Sequence, residues 1–214
     1  MFSKQIKDLA TEILELCRKN KLKVVTAESL TGGLIIGALT EIPGSSDVVD
    51  RGFITYTNLA KQQSLKVKPE TLNNFGAVSE QTAKEMVFGA LTKSEASVAI
   101  SITGIAGPDS GEKQSTMDFY SQLTKEEKIQ YRRKNLGQIF AQNLNTSIGA
   151  ERDERDTKSI LNDINEIFPG LVHIAAQKLG NAPLHEKHQF GNIGREKVRE
   201  ASIIAALNLL KKVI

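Results

Sequence analysis

The chain has 214 residues, 40% of them apolar and 25% charged, with a formal net charge of +3. That is enough for one α/β domain with a full core, and it excludes wholesale disorder. Aromatic residues are sparse at 5%, Trp is absent and no run of Lys or Arg forms a basic stripe, so nucleic acid is not an expected partner.

The single cysteine, Cys17, rules out an intramolecular disulfide, and no Cys/His cluster has the spacing of structural zinc. Met1 to Lys7 is polar, unlike a signal peptide, and no apolar run approaches the length of a membrane span. A cytoplasmic protein without membrane contacts is expected.

In chain order, Phe2, Ile6, Leu9, Ala10, Ile13, Leu14 and Cys17 recur at helical spacing and predict an amphipathic helix over 3–19. Lys23 to Thr26 reads as a short buried strand. It runs into Ala27-Glu28-Ser29-Leu30-Thr31-Gly32-Gly33 and then a helix from Leu34 to Thr40. Val48 to Tyr56 is β-branched and aromatic, hence extended, and Asn58 is the expected N-cap of a helix over 59–65. Pro69 opens a short helix, and Ser79 with Glu80 starts a longer one to about Thr92.

Val98 to Thr103 is a strand entering the turn-rich loop Gly104-Ile105-Ala106-Gly107-Pro108. Leu171 to Ala176 and His185 to Phe190 read as two more strands, the second polar on both faces and therefore at an edge. Glu196 to Lys212 is the last helix. The alternation predicts an α/β fold with three layers, α/β/α, a central mixed sheet being flanked by helices. Residues 114–168 break the rhythm. Their eight Lys/Arg and nine Asp/Glu give no basic arm, and their polar helical patterns suggest a partly helical surface insertion in one domain spanning 1–214.

The segment from Lys23 to Gly33 carries the first chemical candidate. A strand delivers Ser29 to a tight turn at a helix start, where the first amides lack internal partners and a positive dipole end faces outward. Ser29 could attack a carbonyl whose oxygen settles among the amides of Thr31, Gly32 and Gly33. A Ser/Thr cap followed by small packing residues has the same spacing.

A serine needs a base. Of the three histidines, His173, His185 and His188, the last two are weak candidates, because the geometry of the expected edge strand sends them to opposite faces. For the same reason the two histidines and Glu186 make a poor metal site. Lys61 is a better base if desolvation lowers its pKa, with Tyr56 nearby to relay the proton or hold the amine. On spacing alone, a surface lysine and a buried tyrosine fit as well. The loop from Thr103 to Pro108 can offer amides to phosphate, but no Walker lysine follows.

Together, residues 23–33 (KVVTAESLTGG), 43–61 (PGSSDVVDRGFITYTNLAK), 76–80 (GAVSE) and 102–113 (ITGIAGPDSGEK) resemble the C-terminal domain of the CinA family. The resemblance resumes at 169–176 and runs through 185–214. These proteins are nicotinamide-nucleotide amidohydrolases, converting nicotinamide mononucleotide to nicotinate mononucleotide and ammonia without a metal or other cofactor. The resemblance implies Ser29 as nucleophile and Tyr56 with Lys61 as its partners.

Thr103, Gly104 and Gly107 mark a candidate substrate loop. Arg195 and Arg199 match a recurring Arg–x–x–x–Arg of the family and share one helix face. Such a pair suits a phosphate, a carboxylate or a partner subunit. Self-association is implied as well. Three departures are expected: Leu30 stands in place of the usual cysteine, the separate N-terminal domain often joined to this one in the family is not expected, and the 55 residues 114–168 are extra. The rival expectation is a non-catalytic nucleotide-binding or regulatory protein of the same fold.

Overall fold

The structure, a computed structural model, describes residues 2–107 and 170–214. The expected insertion at 114–168 lies outside the described residues. One five-stranded sheet has the order β2-β1-β3-β4-β5. Its strands are β1 (Val24–Glu28), β2 (Val49–Ile54), β3 (Val98–Gly104), β4 (Leu171–Lys178) and β5 (Leu184–Gln189). β1 runs parallel to β2 and β3, while β3–β4 and β4–β5 are antiparallel, so the sheet is mixed as expected.

β1 and nearly all of β3 are buried, which matches their runs of Val, Ile and Ala. Side-chain alternation divides the interior in two. Val24, Ile100, Ile102 and Ile174 pack with α1 (Lys4–Asn20), α2 (Leu34–Thr40) and α6 (Arg195–Lys211). On the other face Val25, Ala27, Ala99 and Ala175 meet α3 (Asn58–Leu65), α4 (Pro69–Phe75) and α5 (Glu80–Thr92). β5 is half exposed and forms an edge, in keeping with its polar residues.

Local chemistry explains the element boundaries. Pro69 occupies the first turn of α4, and Ser79 caps α5 by accepting the Thr82 amide at 3.2 Å. The cap of α3 is Thr57 rather than Asn58. The extended backbone of Thr57 sets its hydroxyl over the Ala60 amide at 3.1 Å, whereas Asn58 is already helical.

α3 is seated through a glycine on α5. A Cβ at Gly89 would stand 2.0 Å from the Leu65 carbonyl oxygen, so only glycine lets the end of α3 approach so closely. Gly89→Ala is expected to cost about 1–3 kcal/mol through overpacking, read as a lower melting temperature.

Candidate active site

β1 ends at Glu28, and the Ser29 amide extends its ladder by donating to the Ile102 carbonyl at 3.1 Å. Gly32 and Gly33, with φ of +61° and +96°, then turn the chain into α2, which begins at Leu34 as expected. Glu28 is fully buried. Its carboxylate accepts the amides of Gly33, Ile35 and Ile36 at 2.9, 3.1 and 2.9 Å and the Thr26 hydroxyl at 3.2 Å. A negative charge at a helix start is favourable, and three charge-assisted bonds reinforce it.

This arrangement corrects the expected set of oxyanion donors. The Gly33 amide is taken by Glu28 and the Gly32 amide by the Ser29 carbonyl at 3.1 Å. The Thr31 amide alone has no acceptor among the described residues. The sequence signal for Glu28 was an acidic residue directly ahead of a small-residue helix start.

Ser29 and Lys61 come together although 32 positions apart. Lys61 Nζ donates to Ser29 Oγ at 3.1 Å and to the Thr55 carbonyl at 2.8 Å. Thr55 is itself tied to β1, its amide donating to the Glu28 carbonyl at 2.8 Å. Lys61 is 1% exposed and Ser29 7%. No carboxylate pairs with Lys61 among the described residues, and burial lowers its pKa from 10.5 to about 8. The groups needed for a serine nucleophile with an amine base are thus in contact.

Tyr56 is placed differently from the expectation. It is 60% exposed, and its hydroxyl accepts from Arg195 Nη2 at 3.1 Å. It makes no hydrogen bond to Lys61 or Ser29. Just past the end of β2, Thr55 is buried with its carbonyl on Lys61, while the next side chain, Tyr56, faces out toward α6. One helical turn later Arg199 Nη2 donates to the Thr31 carbonyl at 2.8 Å, so both arginines reach the site from α6. Thr103 Oγ1 is bonded to the Ala77 carbonyl at 2.7 Å rather than turned to a ligand. Gly104 pairs with Val172, where a Cβ would meet the Leu171 carbonyl at 2.6 Å, and Gly107 has φ of +87°.

The histidines make a separate chain. His173 Nδ1 and His185 Nε2 are 3.0 Å apart, and His185 Nδ1 lies 3.5 Å from Glu80 Oε2. His188 instead meets Glu186 at 2.9 Å. His173 is 5% exposed, and burial, reinforced by His185, lowers its pKa from 6.5 to about 4. Below pH 6.5 the unfolded chain therefore binds a proton that the folded protein refuses. Stability should be full above pH 6.5 and fall by about 1.4 kcal/mol per pH unit toward pH 4. Urea unfolding at pH 7.5 and pH 5 measures this slope, which should shrink in His173→Gln.

Among the described residues no group of three or more His, Cys, Asp or Glu is gathered to hold a metal ion, and no helix is long and apolar enough to cross a membrane. A hollow of about 450 Å³ lined by Lys4, Asp8, Glu12 and Asn208 lies between α1 and α6 and includes none of the residues above.

Known proteins agree with this architecture. The model of the CinA C-terminal domain matches residues 6–146. A putative competence-damage inducible protein of Caldicellulosiruptor saccharolyticus is 57% identical over 96 residues, 45% of this chain and 23% of that protein. The nicotinamide-nucleotide amidohydrolase PncC of Enterobacter agglomerans is 49% identical over 111 residues, 52% of this chain and 68% of that protein. The chain spans about a quarter of the length of the longer relatives. Among solved structures, the competence/damage inducible protein CihA from Agrobacterium tumefaciens superposes with a TM-score of 0.70 at 38% identity, covering 99% of this chain and 97% of that one. By sequence match and by fold, the chain belongs to the family of the CinA C-terminal domain.

Proposed function

We propose that the protein is an amidohydrolase that cleaves the carboxamide of nicotinamide mononucleotide to nicotinate mononucleotide and ammonia, with Ser29 as nucleophile and Lys61 as base. The observation that carries this reading is the 3.1 Å contact between Ser29 Oγ and a buried lysine amine whose pKa is lowered to about 8. The relationship to a nicotinamide-nucleotide amidohydrolase supplies the substrate class.

Neutral Lys61 directs one N–H to the Thr55 carbonyl and its lone pair to the Ser29 hydroxyl. It takes the proton as Ser29 Oγ bonds to the carboxamide carbon, and the new ammonium stands beside the oxyanion. The Thr31 amide is a further donor. Lys61 returns the proton to the amide nitrogen, the C–N bond breaks and ammonia leaves. Water, deprotonated by the same amine, then hydrolyses the ester.

Tyr56 serves by holding Arg195 at the rim and not as a proton relay. Exposed Ile54 and Leu59 on the same segment offer an apolar surface to a pyridine ring. Arg195 and Arg199 supply positive charge for the phosphate. Family membership also supports a self-associating cytoplasmic enzyme, for which sedimentation velocity reads the assembly. The test of function is direct: purified protein incubated with nicotinamide mononucleotide should release ammonia. Binding of the nucleotide without ammonia release would favour a sensing role instead.

A further inference from the structure

Glu28 stands next to the nucleophile and has no part in the chemistry above. It is fully buried, and no cation pairs with it among the described residues. Four donors converge on its two oxygens. The Gly33 and Ile35 amides meet Oε2 at 2.9 and 3.1 Å, and the Ile36 amide and Thr26 hydroxyl meet Oε1 at 2.9 and 3.2 Å. A carboxylate only accepts and has room for about four donors, whereas a carboxamide would turn its NH2 group against two of these.

These bonds close a loop around Ser29. The side chain of residue 28 reaches forward to the amide of residue 33, with Ser29 to Gly32 between them. Gly32 and Gly33 stand at φ +61° and +96°, and glycine keeps wide backbone freedom unless something fixes it. Ser29 has its own carbonyl on the Gly32 amide at 3.1 Å, inside the loop that Glu28 closes. The same residue leads to the base. Its main-chain carbonyl accepts the Thr55 amide at 2.8 Å, and the Thr55 carbonyl accepts Lys61 Nζ at 2.8 Å.

We propose that Glu28 is a positioning residue for the acyl transfer: by clamping the start of α2 it holds Ser29 Oγ in line with Lys61 Nζ. It acts through the turn and not on the substrate. The base is held through the main chain, which a side-chain change at residue 28 leaves in place. A displacement of about 1 Å at a reacting group costs on the order of 100-fold in rate. The proposal rests on the amidohydrolase reading.

The experiment compares Glu28→Gln with the native protein. For nicotinamide mononucleotide, kcat should fall about 100-fold and KM should change by less than about threefold, because alignment is lost and nucleotide contacts are not. The kcat/KM limb near pH 8 should keep its midpoint. General loosening of the site would hydrate Lys61 and carry the limb up toward 10.5, and that result overturns the proposal. An unchanged kcat overturns it as well. Thr26→Val keeps the carboxylate but removes one of its donors, and should lower kcat roughly fivefold. It decides the matter if Glu28→Gln does not fold, an unchanged kcat again overturning the proposal.

A fluorophosphonate gives a readout free of the nucleotide. Ser29 Oγ bonds to phosphorus, the P–F bond breaks, fluoride leaves and the serine proton passes to Lys61. Mass spectrometry should find the adduct on Ser29, forming about 100-fold more slowly in Glu28→Gln. Equal labelling rates in a folded Glu28→Gln overturn the proposal. Slower labelling in the variant, without ammonia from the mononucleotide in the native protein, would overturn the amidohydrolase reading alone. A native protein that neither labels nor releases ammonia overturns both.

Discussion

Ser29→Ala is expected to lower ammonia release from nicotinamide mononucleotide by on the order of 10⁴-fold or more, because removing a nucleophile leaves only binding and electrostatic stabilisation. Nucleotide affinity, measured by calorimetry, should change by less than about threefold, since loss of an interaction made only in the transition state leaves ground-state binding in place. Ser29 is 7% exposed and carries only the hydroxyl contact to Lys61, so the fold should tolerate the change. Turnover retained in Ser29→Ala would remove the acyl-enzyme route. It would point to direct attack by water, with Lys61 acting on that water instead.

The second large effect belongs to Lys61. In the proposed mechanism the active form is the neutral amine, so kcat/KM should rise with pH on a limb centred near 8, where burial places its pKa, and level off above. At pH 7 about a tenth of the molecules hold the neutral form. Lys61→Met should reduce kcat by roughly 10³-fold and abolish that limb. It should also stabilise the protein. The folded pKa of about 8 lies below the unfolded 10.5, so at neutral pH both states are charged and the folded one bears the full burial cost. That cost is relieved as pH rises from 8 to 10.5 and amounts to roughly 3 kcal/mol at neutral pH.

Thermal unfolding of Lys61→Met beside the native protein at pH 7 and pH 10 reads this directly. The difference in stability should narrow at the higher pH. A lysine kept at such cost for no structural contact beyond Ser29 and Thr55 fits a catalytic demand that opposes stability. Unchanged stability in the variant at pH 7 would mean that Lys61 is already neutral or well solvated.

Much of the fold was legible because its elements carry period and punctuation. The apolar stripe from Ile6 to Cys17 became α1, and the run from Val98 became β3. Pro69 and Ser79 marked helix starts through their own backbone chemistry. The cap of α3 was missed by one residue because Thr57 and Asn58 are both good caps, and only the backbone angle at the junction selects between them.

The site was legible in part. Ser29 and Lys61 stood out through a motif pattern, and the structure brings their side chains into contact. What spacing could not show was how the groups around them are already satisfied. Glu28 claims the α2 amides, Arg199 claims the Thr31 carbonyl and Arg195 claims the Tyr56 hydroxyl.

The sequence by itself determined which segments are helix or strand, which faces are apolar and which residue types are available for chemistry, because these depend on neighbours a few positions apart. Tertiary structure alone decided that a lysine 32 positions from a serine loses its water shell against it, and which amides remain free. Burial and hydrogen-bond partnership depend on strands and helices meeting across the sheet, and no local pattern encodes which donor reaches an acceptor first.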